Sequence, residues 1–229
     1  MQESIKSRIA PTPSGFLHLG NAFNFIITAL LVDLMKGHLH LRIDDFDTSR
    51  IKRAAVEDIF VQLEWLGIEY DSGPSGPDEL FSKYSQQLRK DYYFYAIEIL
   101  RKNRHIFACE CSRSEIRQLR SKRTCPGKCR QKYISLKKNN ISWRVHVPNE
   151  TFIKYKIFMK STEKIKVDES IGDFVIKRRD GLPAYQIVSL IDDLEHGINL
   201  VVRGQDLLAS TGAQLFLAKC LQGKSFLDS

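Results

Sequence analysis

The sequence predicts an α/β protein, built on a Rossmann-like parallel sheet that binds a nucleotide and carries a zinc-bearing insertion. Three observations predict it. A strand, a Pro/Gly-rich loop and an apolar helix open the chain, strands and helices alternate again near its end, and four paired cysteines stand between these halves. With 229 residues, 43% of them hydrophobic and 27% charged, the chain is able to bury a core.

The first half of the chain reads as the opening of such a sheet. Apolar periodicity predicts a strand over 5–10, a buried helix over 21–35, a strand over 38–43 and a helix over 50–66. Gly67 stands where a helix-stopping residue belongs. The stretch 72–77 (SGPSGP) predicts a loop, and residues 79–101 predict one aromatic-rich amphipathic helix.

The second half predicts an insertion followed by a return of the alternation. Strands are predicted over 141–147 and 152–159, and then a strand over 173–177, a helix over 183–194, a strand over 199–203 and a helix over 207–221. The expected domains are a first catalytic half at 1–104, the zinc-bearing basic insertion at 105–165 and a second catalytic half at 166–229.

The spacing of four cysteines predicts a zinc-binding site. They form a Cys-x-Cys pair, a 13-residue spacer and a Cys-x3-Cys pair, and the residues are Cys109, Cys111, Cys125 and Cys129. Two close pairs of soft thiolates are what tetrahedral zinc prefers, and a filled four-ligand site is structural. Pro126 and Gly127 supply a turn within the second pair. The alternative is four unrelated buried cysteines, and Cys220 is expected to be plain core.

Positive charge is concentrated around this cluster. Residues 101–140 hold 13 Lys or Arg against Glu110 and Glu115, a local charge of +11, whereas the whole chain carries +8. Such a segment predicts attraction to a polyanion such as nucleic acid, with a merely solvated surface as the alternative. The longest apolar run, near 25–35, is interrupted by Thr28 and Asp33, and the N-terminus has no apolar signal core. We therefore expect a cytoplasmic protein with no membrane contact.

Three ordered motifs identify a family. They are RIAPTPSGFLHLGN at 8–21, LRIDDFDTSR at 41–50 and GLPAYQIVSLIDDLEHGINLVVRGQDLLAS at 181–210. Together they resemble the catalytic domain of the glutamyl-tRNA synthetases, which are class I enzymes. Within that family, the cysteine pairs and the AYQ triplet at 184–186 are most similar to the short glutamyl-Q tRNA(Asp) synthetases. That resemblance implies ATP-dependent activation of glutamate, with Mg accompanying ATP, and transfer to the queuosine base of tRNA(Asp).

The resemblance also implies residue roles. His18 and Gly20 would act in catalysis at the ATP phosphates, and Asn21 would join them in binding ATP. The glutamate-binding positions would be Arg8, Ala10, Ser14, Asp44, Tyr185 and Arg203. Asp44 departs from the family, which has Glu in this place, and the side chain is shorter by one C–C bond, about 1.5 Å. For Tyr185 the alternative is a half-buried structural aromatic.

The second class I signature, a lysine-rich loop, is not found in these residues, and Lys224-Ser225 is too short a match for it. Alternatives to the glutamyl-Q reaction are therefore a non-catalytic RNA-binding module, a fragment of a longer synthetase, and glutamylation of a free tRNA 3′ end. We expect a monomer.

Overall fold

The structure is a computed structural model that describes residues 4–118, 125 and 127–221. Pro126 and Lys224-Ser225, both discussed above, lie outside these residues. The chain divides into two compact units. Unit 1 comprises Met1–Lys90 and Glu195–Gly204, and unit 2 comprises Asp91–Leu194 and Gln205–Ser229. The predicted boundaries at 104/105 and 165/166 stay predictions.

Unit 1 contains the parallel sheet. Its elements are β1 (Lys6–Ile9), α1 (Leu19–Leu34), β2 (His38–Leu41), α2 (Arg53–Trp65) and the short α3 (Pro77–Glu79). β1 and β2 pair in parallel, and two single parallel bridges extend them, Ser7 to Leu200 and His40 to Ser72. The order across the sheet is therefore Ser72, β2, β1, Leu200, which is the first part of a Rossmann arrangement and confirms the predicted fold class.

The core of unit 1 lies between this sheet and its helices. Apolar residues of β1 and β2 pack with one face of α1 and one face of α2, and the buried members include Ile9, Phe25, Leu41, Ile59 and Leu63. Gly67 ends α2 with a φ of 65°, as predicted, and its N–H donates to the Glu64 carbonyl. The predicted strand over 199–203 is reduced to the bridge at Leu200.

The single helix predicted over 79–101 is wrong. A π-helical turn covers Leu80–Tyr84, a 3-10 turn covers Gln86–Arg89, and the regular helix α4 begins only at Lys90 and ends at Lys102. The break is at Ser85, which has a ψ of 134° and whose side chain caps the 3-10 turn by accepting from the Gln87 N–H. Apolar periodicity does not reveal such a break, because its cause is polar and distant in sequence.

Unit 2 combines helices with antiparallel sheets. After α4 its elements are β3 (Ile106–Cys109), α5 (Arg113–Gln118), α6 (Lys128–Gln131), β4 (Ser142–Val145), β5 (Phe152–Lys156), β6 (Thr162–Lys166), α7 (Val167–Ser170), β7 (Val175–Lys177), α8 (Tyr185–Glu195) and α9 (Leu208–Cys220). One sheet has the order β3-β4-β7, and β5 with β6 forms a hairpin.

Two expectations about unit 2 need correction. The strand predicted over 173–177 does not resume the parallel sheet, since β7 pairs antiparallel with β4. The strands β3 and β6 were not predicted; β6 buries only Ile165 well, so its pattern is nearly all polar. Among the described residues, no helix combines the length and hydropathy that crossing a membrane requires.

Candidate functional site

His18 and Asn21 form the N-terminus of α1. His18 is the N-cap residue, its Nδ1 accepts the Gly20 N–H at 3.1 Å, and Asn21 Oδ1 accepts the His18 N–H at 3.2 Å. This reciprocal pair is a capping box. The two side chains therefore hold the first turn of α1 in a fixed arrangement, with exposed His18 at the positive end of the helix dipole.

The capping bond also fixes the histidine proton. Because Nδ1 accepts from Gly20, the proton of the neutral ring lies on Nε2, which is the atom left to donate. Gly20 leaves room for this placement, since a Cβ there would meet His18 Cε1 at 3.1 Å and Nδ1 at 3.2 Å and the imidazole would have to shift. A donor at a helix N-terminus is suited to phosphate oxygens.

The carboxyl edge of the parallel sheet collects most of the predicted glutamate residues. Asp44 N–H donates to the Pro11 carbonyl at 2.8 Å, so the segments after β1 and β2 stay paired. Ser7 aligns with both Leu39 and Leu200, and the Arg42 N–H donates to the Ile9 carbonyl at 2.9 Å, so Arg42 lies beside the end of β1; Arg203 follows the bridge at Leu200 by three residues. Arg8 is buried within β1, and Ser14 lies half-buried in the following loop.

Asp44 is buried, and Arg42 and Gln86 both donate to its carboxylate. Its Oδ1 accepts from Arg42 Nε at 2.7 Å and from Gln86 Nε2 at 3.2 Å, and Asp44 is only 9% exposed. The arginine compensates the buried charge, and the two bonds fix the carboxylate plane. The sequence motifs gave Asp44 but neither Arg42 nor Gln86 as site residues.

Tyr185 belongs to the other unit. It is the first residue of α8, and its side chain is 45% exposed. The following Gln186 donates from Nε2 to Ser210 Oγ at 3.0 Å, which connects α8 to α9. Further along α8, buried Asp192 accepts the Tyr93 hydroxyl at 2.8 Å, which connects α8 to α4.

The four predicted cysteines come together in unit 2. All four sulfur atoms lie within 4.8 Å of one another, with Cys111 Sγ 3.6 Å from Cys125 Sγ and 3.5 Å from Cys129 Sγ. Four sulfurs at about 2.3 Å from a tetrahedral zinc are about 3.8 Å apart, so the donor set fits that ion. Apart from Cys111, each of the four is buried.

The pKa values of the cysteine thiols are shifted in opposite directions. A hydrogen bond from the Cys109 thiol, followed by backbone N–H groups of Cys129 and Gly127, lowers the pKa of Cys125 to about 4. Burial and bonds to neighbouring thiols raise the pKa of Cys111 to about 11, and the Cys125 contact and burial raise that of Cys109. A bound cation would replace these protons.

A buried aspartate anchors the cysteine segment. Arg130, next to Cys129 on α6, contacts Asp173 with 3.0 Å between Nε and Oδ2. Asp173 Oδ1 accepts the Val147 N–H at 3.0 Å, and the Asp173 carbonyl accepts from Arg144. The arginine side chain also lies over Gly127, where a Cβ would meet Nη2 at 2.8 Å. α6 is thereby fixed to the antiparallel sheet.

Comparison with known families gives one match over nearly the whole chain. Residues 4–226 match the family described as tRNA synthetases class I (E and Q), catalytic domain.

Similar individual proteins carry names consistent with this family. The chain is 33% identical over 227 residues to glutamate–tRNA ligase 2 of Syntrophus aciditrophicus, covering 93% of this chain and 46% of the relative. It is 32% identical over 232 residues to the glutamyl-Q tRNA(Asp) synthetase of Nitratidesulfovibrio vulgaris, covering 95% and 70%. The chain thus spans about half the length of several curated relatives.

A solved structure has the same fold. The glutamate-tRNA synthetase of Elizabethkingia anophelis superposes with a TM-score of 0.76 at 23% identity, over 96% of this chain and 48% of that one. At this identity the likeness establishes the fold.

Proposed function

The chain belongs to the catalytic-domain family of the class I glutamate and glutamine tRNA synthetases, and from this we propose that it activates glutamate with ATP and transfers the glutamyl group to the queuosine base of tRNA(Asp). One observation carries the proposal. A carboxylate, two arginines and a capped helix N-terminus belong to the same sheet unit, and they are Asp44, Arg8, Arg203 and the first turn of α1.

The roles follow from charge. In activation, a carboxylate oxygen of glutamate bonds to the α-phosphorus of ATP, the bond to the leaving oxygen breaks, and pyrophosphate departs. Asp44 pairs with the substrate ammonium, and the planar fork of Arg203 suits a carboxylate. His18 donates from Nε2 to charge that develops on phosphate, and Gly20 and Asn21 hold that histidine in place. Mg accompanies ATP.

The remaining residues orient the substrates. Tyr185, Ala10 and Ser14 complete the proposed glutamate-binding set. The zinc proposed for the four cysteines supplies a structural cross-link of the basic segment, and that segment attracts the tRNA phosphates. We propose the cytoplasm as the compartment and a monomer as the working state.

The glutamyl-Q acceptor is supported by two features and one relative. The cysteine pairs and Ala184–Gln186 resemble that group, and a protein named glutamyl-Q tRNA(Asp) synthetase is 32% identical over 95% of this chain. The second candidate is glutamylation of a tRNA 3′ end, favoured by the relative named glutamate–tRNA ligase 2 at 33% identity.

The test has two steps. ATP–pyrophosphate exchange is measured with glutamate, glutamine or aspartate, with and without tRNA, on the zinc-loaded chain and on Asp44→Asn. We expect exchange with glutamate and its loss in Asp44→Asn, whereas Asp78→Asn, which changes an exposed aspartate of the same unit, retains it. Absence of exchange from a folded wild type contradicts the proposal and favours a binding module or a fragment.

Labelled glutamate then identifies the acceptor. Incorporation into queuosine-containing tRNA(Asp), and none into the same tRNA lacking queuosine, supports the glutamyl-Q reaction. Incorporation into the tRNA that lacks queuosine, abolished when periodate oxidises its 3′-terminal ribose, supports the second candidate instead.

A further inference from the structure

A reciprocal set of hydrogen bonds joins the loop after β2 to the break that precedes α4. Ser85 Oγ donates to Asp45 Oδ2 at 2.6 Å, and the Gln86 N–H donates to Asp45 Oδ1 at 2.8 Å. In return, Gln86 Oε1 accepts the Phe46 N–H at 3.0 Å. Asp45, Ser85 and Gln86 are each at most 3% exposed. The two segments, about 40 residues apart, are thus joined by one bond between side chains and two bonds between a side chain and the backbone.

The backbone contact determines which way the Gln86 amide points. The Phe46 N–H is a donor, and the amide atom that faces it must therefore be the oxygen. This leaves Nε2 on the other side, where Asp44 Oδ1 accepts from it at 3.2 Å. An amide is suited to the position, since it accepts on one side and donates on the other, which a carboxylate does not do while ionised.

We propose that Gln86 is a positioning residue that orients the Asp44 carboxylate for the ammonium group of the substrate; this rests on the proposed function. Arg42 supplies the compensating charge, and Gln86 supplies the second bond to the same oxygen, so that the carboxylate cannot rotate about its Cβ–Cγ bond without losing one of them. Asp45 and Ser85 hold the backbone that carries Gln86.

The proposal predicts a selective loss of glutamate binding in Gln86→Met, which keeps the length of the side chain and removes the amide. A hydrogen bond to a charged group is worth enough to expect a rise of roughly tenfold to a hundredfold in the Kd and KM for glutamate. The KM for ATP should change less than about threefold, because the α1 N-terminus is not part of this network.

A matched control exists in the same unit. Gln62 Nε2 donates to Asp58 Oδ1 at 3.2 Å, the same type of bond at the same length, on α2. Gln62→Met should leave the ratio of the two KM values as in the wild type. If both variants raise the two KM values together, the effect is a general loss of structure, and the proposal is overturned.

Two further measurements separate the possible failures. Calorimetric glutamate binding needs no adenylate formation: a wild type that binds glutamate, with an equal Kd in Gln86→Met, overturns the positioning role and leaves the proposed function standing. A folded wild type that neither binds nor activates glutamate contradicts both. Hydrogen exchange at the Phe46 amide tests the bond without substrate; we expect faster exchange in Gln86→Met, and unchanged protection contradicts the arrangement.

Discussion

Gly20→Ala separates stability from catalysis at the α1 N-terminus. The added methyl would lie 3.1 Å from His18 Cε1 and 3.2 Å from Nδ1, closer than ordinary van der Waals contact, so the imidazole must move by a few tenths of an ångström. The 3.1 Å bond from the Gly20 N–H to Nδ1 is then weakened or lost.

The two effects on folding nearly cancel. Losing a capping bond costs about 1 kcal/mol, whereas replacing glycine by alanine within a helix returns up to about 1 kcal/mol. The net change in unfolding free energy is expected within about 0.5 kcal/mol, a shift in Tm of roughly 2 °C or less. Catalysis has no such compensation if His18 acts as proposed, because the displaced imidazole would no longer direct Nε2 at the phosphate. A charged hydrogen bond worth about 1.5–3 kcal/mol corresponds to a fall of about tenfold to a hundredfold in kcat/KM for ATP.

Thermal unfolding and ATP–pyrophosphate exchange measure the two quantities on the same preparations. Gly76→Ala is the control, since a Cβ at that position meets nothing within 4 Å and its backbone is extended. Wild-type exchange kinetics in Gly20→Ala would contradict the proposed role of His18. A Tm loss well above the expected shift would instead refute the calculated cancellation.

Three more predictions concern unit 2 and the sheet of unit 1. Removing the metal from the purified chain with a chelator should lower Tm by roughly 10 °C, and so should Cys125→Ser. The reason is that a ligand present at a thousandfold its Kd contributes about 4 kcal/mol to the free energy of unfolding. Cys220→Ser changes a cysteine outside the cluster and should leave both the bound metal and Tm unchanged. Tyr93→Phe removes a donor to buried Asp192 and should reduce the unfolding free energy by about 1–3 kcal/mol in a denaturant titration, and an unchanged midpoint would contradict this. Burial, and to a smaller extent the His196 imidazole, lower the pKa of His40 to about 3. Between pH 6.5 and pH 3 the unfolded state therefore binds a proton that the folded state does not, and the free energy of unfolding falls as the pH is lowered. We expect it to fall by about 2 kcal/mol between neutral pH and pH 5, and by correspondingly less in His40→Leu.

Structure is predicted best from the sequence where it depends on residues that are close together along the chain. The apolar face of α2 follows from the periodicity of its own residues, and the spacing of the four cysteines alone indicates that they form one group. The prediction of a buried helix over 21–35 is wrong, because Phe23, Leu30 and Leu34 of α1 are each more than half exposed. The capping box of His18 and Asn21 is also contained in four consecutive residues, although the predicted helix over 21–35 begins after it. These features depend on contacts that are short in sequence.

The predictions fail where a segment's structure depends on a partner strand that is distant in sequence. β7 has a strand pattern, but whether it pairs in parallel or antiparallel depends on β4, about 30 residues earlier. The same holds for Leu200, where a predicted strand makes one bridge, to Ser7 at the other end of the chain. Strand pairing is a long-range property, and alternation along a single segment does not encode it.

The break in the predicted helix over 79–101 shows how a site explains a failed prediction. Periodicity favours continuing the helix through Ser85 and Gln86, and a continuous helix would satisfy their backbone groups locally. Instead the Gln86 N–H is given to Asp45, while its side chain supports the Phe46 backbone and the Asp44 carboxylate. The local cost of a π turn and a 3-10 turn is offset by satisfying two buried carboxylates that would otherwise lose donors. If Asp44 binds the substrate ammonium as proposed, the irregular turns hold its carboxylate in place for binding, whereas the bonds to Asp45 hold the two backbone segments together.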